Sequence, residues 1–407
     1  MSNYVAPSIE TLPVEILHRI FDNLDAQIIL YSIRPLSKLF RSVVNTYNRY
    51  VLEFNLISKS CFYFFCRLIH PQNIISLTLS NNEQTSVQID LFISLVHLRQ
   101  ITRLRSLTLL QISEDQLNYI LKRINLNLLI TFSFSIRKYD DRRRATTITP
   151  LSSIIAQSTL RKLEFNTFDS MPKISWPIDG ITEYLTTNNR INIDDLCKIF
   201  QCSPHLHMLI MNEIPAGVIN NVTSTCFRQL TSLTMQDLRV TIDELESFLL
   251  LTSSLVYLKL IGGEEMLDGK RWEQFIQINL PQLDKFEFYF TEWKSTKQTL
   301  TDLELIIASF QTPFWIEHKK WFVTCEYECG VLRLNIISLY SIPICTSYMY
   351  YTSKSEKISL STYPMMMMNN DLLTMDNIKS LSLTLNQSTA NDIKEKVSYS
   401  NISFTFK

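Results

Sequence analysis

Cys197, Cys202, His205 and His207 come nearest to metal chemistry, since thiolates and imidazoles are the ligands zinc selects. Their spacing matches no common zinc module, and His205 and His207 point to opposite faces of any strand that carries both. No metal or cofactor site is expected from them. Adjacent carboxylates, which acid–base catalysis could use, occur at Asp194-Asp195 and Glu264-Glu265. Each pair also fits a helix start or a surface loop, and no nucleophile, base and orienting group stands out beside it. The one dense charge cluster is "RKYDDRRR" from Arg137 to Arg144. Arg137, Lys138, Arg142, Arg143 and Arg144 could grip an acidic or phosphorylated segment, because guanidinium groups pair bidentately with such oxygens. Asp140 and Asp141 partly neutralise the run, and a solvated loop is the preferred reading. Tyr289, Phe290, Trp293, Trp315 and Trp321 could line a pocket, but aromatics more often fill a core. Met365–Met368 reads as an adaptable contact patch or as a buried loop.

Glycine excludes more than any other residue type. The 407 residues contain six, at Gly180, Gly217, Gly262, Gly263, Gly269 and Gly330. A phosphate-cradling loop needs glycines where the backbone approaches its ligand, and no such motif can be written from these positions. Eight cysteines form no C-x-x-C pair, which fits free thiols in a reducing compartment. The 39 basic and 39 acidic residues cancel, so no global field draws the chain to nucleic acid or to an anionic membrane. The first residues lack the basic-then-apolar layout of a secretion leader, which predicts a cytoplasmic or nuclear protein. An uncharged run from Leu334 to Thr352 contains Asn335, Pro343 and several serines, and reads as strands rather than a membrane span. With 46% apolar residues the chain can build a sizeable core.

The elements that must position any site announce themselves as a repeat. Segments with apolar residues at the first, fourth and sixth positions begin at Ile74, Leu104, Leu129, Leu160, Leu206, Leu230, Leu255 and Leu283, with an echo at Ile378. The unit is roughly 25 residues long, and the wide gap after Leu160 leaves room for a degenerate copy near Ile181–Leu185. Between the strands a helix-start signature recurs, as a capping residue with an acid or amide three later. It is seen at Thr85…Gln88, Ser113…Gln116, Asn192…Asp195, Thr241…Glu244 and Thr299…Asp302. A strand and an amphipathic helix in each unit can bury their apolar sides only by stacking on neighbours. From about residue 294 the pattern fades into aromatic-rich segments that read as paired strands.

Ahead of the repeats, "ETLPVEILHRIFDNLDAQIILYSIRPLSKLFRSVV" carries two amphipathic helices. Ile16, Leu17, Ile20, Phe21 and Leu24 share one face, and Pro13 marks the start. A second start at Pro35 precedes Leu36, Leu39, Phe40, Val43 and Val44, with a short helix around Ile28–Ile33 between the two. A unit this small buries too little surface to stand alone, so some of its apolar side chains must meet another surface.

The order Leu12-Pro13, Glu15-Ile16-Leu17, Ile20-Phe21, Leu24 and Leu36…Leu39-Phe40 resembles the F-box pattern. The later segments resemble leucine-rich repeats found in one group of F-box proteins, although the asparagine that usually follows each strand is mostly missing; Asn82 fits it after the first. The resemblance implies an α/β fold, with a three-helix F-box over residues 1–50, a connecting helical segment over 51–72 and a leucine-rich-repeat-like solenoid of parallel strands over 73–407. A curved horseshoe, irregular after about residue 294, is expected. Such F-boxes bind the adaptor subunit of SCF-type cullin–RING ubiquitin ligases. By position, Leu12, Pro13, Ile16, Leu17, Ile20, Phe21 and Leu36 would face the adaptor or shape that surface. The repeats would hold a protein substrate, making the chain a substrate receptor with no intrinsic catalysis. The alternative is a repeat-based scaffold whose F-box serves an assembly outside ubiquitin transfer.

Overall fold

A computed structural model describes residues 9–54, 57–81, 87–137, 148–157, 159–166, 176–188, 191, 193–212, 227–263, 265–329, 335–346, 348–352, 356–363, 380–385 and 402–406. It is an α/β structure with open, mostly parallel sheet and two compact units. One unit comprises residues 1–189 with 201–206, the other residues 190–200 with 207–407.

The first unit opens with helices α1 (Val14–Phe21) and α2 (Lys38–Thr46), joined through a single π-helical turn at Ile28–Ile33. Strands and helices then alternate as β1 (Tyr50–Glu53), α3 (Lys59–Leu68), β2 (Ile74–Ser80), α4 (Gln88–Leu95), β3 (Ser106–Ile112), α5 (Glu114–Leu121), β4 (Thr131–Ile136), α6 (Ile148–Ile155), β5 (Lys162–Asn166) and β6 (Tyr184–Thr187). Each strand pairs in parallel with the next along the chain. The span 51–72, expected to be helical, contains α3 but also most of β1. The expected degenerate copy near Ile181–Leu185 is β6.

The apolar motif maps onto strands β2 to β5, opening within the strand at Ile74 of β2 and ahead of it in the others. Its first residue precedes the strand by two positions at Leu104, Leu129 and Leu160, and all three are fully buried. The fourth and sixth positions, such as Leu107 and Leu109, are the inward residues of the strand itself. The outward residues form cross-strand rows: Ser76, Ser106 and Thr131 in one, Thr78, Thr108 and Ser133 in the next. Buried amides tie the strand ends to the helices. Gln88 donates to the Phe54 carbonyl at 2.6 Å and accepts from the Ser80 amide at 2.9 Å. Asn81 accepts from the Ile89 amide at 3.0 Å and donates to Gln116 at 3.2 Å. The sequence pointed to Asn82 for such a task, which lies outside the described residues.

The second unit holds α7 (Ile193–Cys202, whose last two residues count with the first unit), β7 (Met208–Met211), β8 (Ser232–Leu238), α8 (Ile242–Leu249), β9 (Tyr257–Gly262), α9 (Gly269–Asn279), β10 (Lys285–Lys294), α10 (Leu300–Ala308), β11 (Val323–Cys329), β12 (Asn335–Ser341), β13 (Tyr348–Thr352), β14 (Glu356–Ser361), β15 (Ser380–Leu385) and β16 (Ile402–Phe406). Strands β7 to β10 pair in parallel and in order. The sheet then turns antiparallel through β12, β11 and β14. Strands β13, β15 and β16 make a separate parallel sheet. The uncharged run 334–352 thus holds β12 and β13. Among the described residues no helix is long and apolar enough to cross a membrane.

Three of the five expected helix starts close as reciprocal capping boxes, at Ser113/Gln116, Thr241/Glu244 and Thr299/Asp302. Thr85 and Asn192 lie outside the described residues, and α4 starts instead after Val87, with no side-chain cap. Changing Thr241 to Ala strips the Glu244 amide of its partner and should cost about 1 kcal/mol in urea unfolding, whereas Thr241→Ser should be close to neutral.

Candidate partner-docking surface

The N-terminal helices are held from within by aromatic and polar contacts, and this decides which side chains remain outside. Pro13 sits one position ahead of α1 in extended conformation, its carbonyl accepting from the Ile16 and Leu17 amides. The second helix begins at Lys38 rather than Pro35, because the extended Ser37 caps it by accepting from the Phe40 amide at 3.3 Å. Leu17, Phe21, Phe40, Val43 and Val44 are buried together with Ile29 and Leu30 of the π-turn. The Phe21 ring meets Tyr47 edge-on at 5.6 Å, and Tyr47 meets Tyr50 in the same way at 5.0 Å. The Tyr47 hydroxyl donates to Asp22 at 3.0 Å, and Tyr50 donates to the Val44 carbonyl. Arg49 completes the latch with an ion pair to Asp22 at 2.9 Å. Burial followed by this hydrogen bond pushes the Tyr47 phenol well above its ordinary value.

With those faces satisfied, a second apolar set is left in solvent. Leu12, Val14, Ile16, Ile28, Tyr31 and Leu39 are each more than a third exposed, and Leu36 is 70% exposed. Eight of the twenty-two exposed large apolar side chains among the described residues fall between Ile9 and Leu39. Of the seven positions the F-box resemblance marks, Leu12, Pro13, Ile16 and Leu36 are exposed and Ile20 is half-buried. Leu17 and Phe21 belong to the core and can shape that surface only from beneath. The sequence did not single out Val14, Ile28 or Tyr31. Tyr31 stacks on Phe64 at 4.7 Å, carrying exposed apolar area onto α3. Nor did it single out the cations Arg34, Lys38 and Arg41, although the absence of any acid between Ala26 and Leu52 was a readable signal.

The other candidates fare differently. Arg137 donates to the Asn81 carbonyl at 3.3 Å, while Lys138, Arg142, Arg143 and Arg144 lie outside the described residues. So does Met365–Met368. Phe290, Trp315 and Trp321 are core residues, Tyr289 is half-buried and stacked on Tyr340, and Trp293 is 54% exposed. Among the described residues no group of three or more His, Cys, Asp and Glu is arranged to hold a metal ion. Asp195 lies in the first turn of α7 and pairs with Lys198 at 3.4 Å, as a helix-start carboxylate would. A cavity of about 380 Å³ beside the Tyr47 latch is lined by Asp22, Asp25, Arg49 and Glu53 over Phe54 and Phe65. Burial pushes the Cys66, Cys325 and Cys345 thiols up to about 12, which keeps them protonated and poor nucleophiles.

On the outward face of β9 and β10, Tyr257 donates to Glu287 at 2.7 Å and Lys285 pairs with the same carboxylate at 2.6 Å. Burial pushes this carboxyl up, but the Lys285 and Tyr257 contacts and the charge of Lys259 outweigh it and hold Glu287 below its ordinary value of 4.5. A carboxyl depressed on folding stabilises the fold above its unfolded value and loses that contribution as pH falls through the folded one. Glu287→Gln should therefore lower the urea midpoint at pH 7, and the gap to the native chain should shrink progressively below pH about 4.5.

Compared with family models and with curated proteins, the chain matches none.

Proposed function

We propose that this chain is the substrate-recognition subunit of an SCF-type cullin–RING ubiquitin ligase. Residues around 9–50 form a three-helix F-box that docks on the adaptor subunit, and the following strands and helices form a leucine-rich-repeat-like solenoid that carries the target. The observation that supports this reading best is the crowding of exposed apolar side chains between Ile9 and Leu39, above a core that is already complete. Leaving such area in water costs about 25 cal/mol per Å², so a partner that covers it gains that free energy. The helices themselves do no bond-making. Their contribution is proximity, since a target held on the repeats and a charged enzyme held through cullin meet at high effective concentration.

The hydroxyl rows of β2, β3 and β4 are the surface we assign to the target. Ser76, Thr78, Ser106, Thr108, Thr131 and Ser133 are half-buried side chains that offer donors and acceptors without charge. Affinity purification of the full chain tests the proposal. Recovery of both adaptor and cullin is expected, adaptor without cullin would favour a scaffold outside ubiquitin transfer, and recovery of neither overturns the docking role.

A further inference from the structure

Charge is uneven along the N-terminal region. Helix α1 is mixed, with Glu15 and Arg19, and is followed by Asp22 and Asp25, of which Asp22 is already neutralised by Arg49. From Ala26 to Leu52 the chain has no acid at all, while Arg34, Lys38, Arg41 and Arg49 are all basic. Ion pairs of the described residues engage Arg49 alone among these four. Lys38 and Arg41 are exposed on α2, whose opposite face buries Phe40, Val43 and Val44. Arg34 is half-buried in the turn that leads to the exposed Leu36. Exposed Leu36 and Leu39 thus lie within a few residues of Arg34 in the turn and of Lys38 and Arg41 on α2, three cations with no ion-pair carboxylate among the described residues.

A purely apolar partner would leave those cations half-desolvated beside its surface, at a cost with no return. A partner with carboxylates around an apolar patch would satisfy both. We propose that the occupant of this face is an acidic protein surface, whose carboxylates meet Arg34, Lys38 and Arg41 while its apolar side chains cover Leu36 and Leu39. The inference rests on the docking role assigned above and adds the chemistry of the partner. Cations at the margin of an interface act mainly on the rate of encounter, because their field reaches about 10 Å at 0.1 M salt and the apolar contact then fixes the complex.

The test is association of the full chain with a purified SCF adaptor subunit, followed by stopped-flow fluorescence at about 0.05 M and about 0.5 M salt. The native chain should associate roughly tenfold or more slowly at the higher salt. The R34E/K38E/R41E variant should be slow at both, with circular dichroism confirming that α2 is intact. Lys38→Glu alone, placed in the first turn where the helix dipole favours an acid, should give a smaller slowing in a fully folded chain. Association at the same rate in both salts and in all variants would overturn the acidic-partner inference while leaving the docking role standing. No binding by the native chain at either salt would overturn both.

Discussion

Changing Ile16 and Leu36 together to Asp should abolish adaptor binding and leave the fold standing. Ile16 lies in the first turn of α1, where a carboxylate interacts favourably with the backbone dipole, and Leu36 lies outside both helices at 70% exposure. Neither supports the core formed by Leu17, Phe21, Phe40, Val43 and Val44, so urea unfolding should shift by no more than about 1 kcal/mol. A carboxylate forced against an apolar partner surface, unpaired, costs about 2–5 kcal/mol per site, or roughly a thousandfold loss in affinity for the pair at the least. Phe21→Ala should behave in the opposite way. It removes the ring that Tyr47 packs against and should destabilise the N-terminal helices by about 3–5 kcal/mol, losing binding as a consequence of unfolding. Measuring adaptor affinity and unfolding midpoints on the same samples separates the two effects.

A comparably large stability loss should come from Trp272→Ala. Trp272 is fully buried in α9, donates from its indole nitrogen to the Met266 carbonyl at 3.1 Å and lies 6.0 Å from the parallel ring of Phe290. Its removal opens a cavity and orphans an acceptor, at a cost of about 3–5 kcal/mol. The surroundings cannot close over the gap easily, because the start of α9 is pressed against the chain. A Cβ at Gly269 would stand 2.6 Å from the Ser309 carbonyl oxygen, and the Trp315 indole donates to the Gly269 carbonyl. Trp293→Ala, at a site 54% exposed, should cost less than about 1 kcal/mol. Chemical denaturation of the two variants, followed by far-ultraviolet circular dichroism, gives the comparison directly.

The contrast between Trp272 and Trp293 also shows where sequence reading stops. The repeat of apolar first, fourth and sixth positions marked β2 to β5 and β7 to β10, because a buried parallel strand demands that alternation and, in all but β2, the leucine two residues ahead fills the turn into it. Strand β1 obeys the same rule through Tyr47, Tyr50 and Leu52, but tyrosines at the first and fourth positions hide it from a leucine-based pattern. Within β10 the motif assigns Phe286 and Phe288 to the core, yet nothing local separates the buried Trp315 from the exposed Trp293. Trp315 is buried because the turn that carries it, Phe314–Lys319, packs on Phe286 and Phe288 of β10 and donates to the Gly269 carbonyl at the start of α9, contacts distant in sequence.

The docking surface was legible to the same degree. Periodicity put Ile16, Leu17, Ile20 and Phe21 on one helical face, but a stripe that wide serves two masters: Leu17 and Phe21 turn inward to Tyr47 and α2, and Ile16 stays outside. Helix starts were read correctly where a capping box closes, as at Ser113 and Thr241, and misplaced where the proline signal at Pro35 competed with the Ser37 cap. Zero net charge over the whole chain hides the local excess of cations at Arg34, Lys38 and Arg41.

Hydrogen–deuterium exchange of the full chain with and without the SCF adaptor subunit tests the central claim most directly. The account predicts protection on binding confined to residues 9–46, strongest in α1 and in the segment from Ile28 to Leu39, with the sheet amides unchanged. Protection that falls on the strands and leaves α1 and α2 as they were, or no protection anywhere at saturating adaptor, would contradict it.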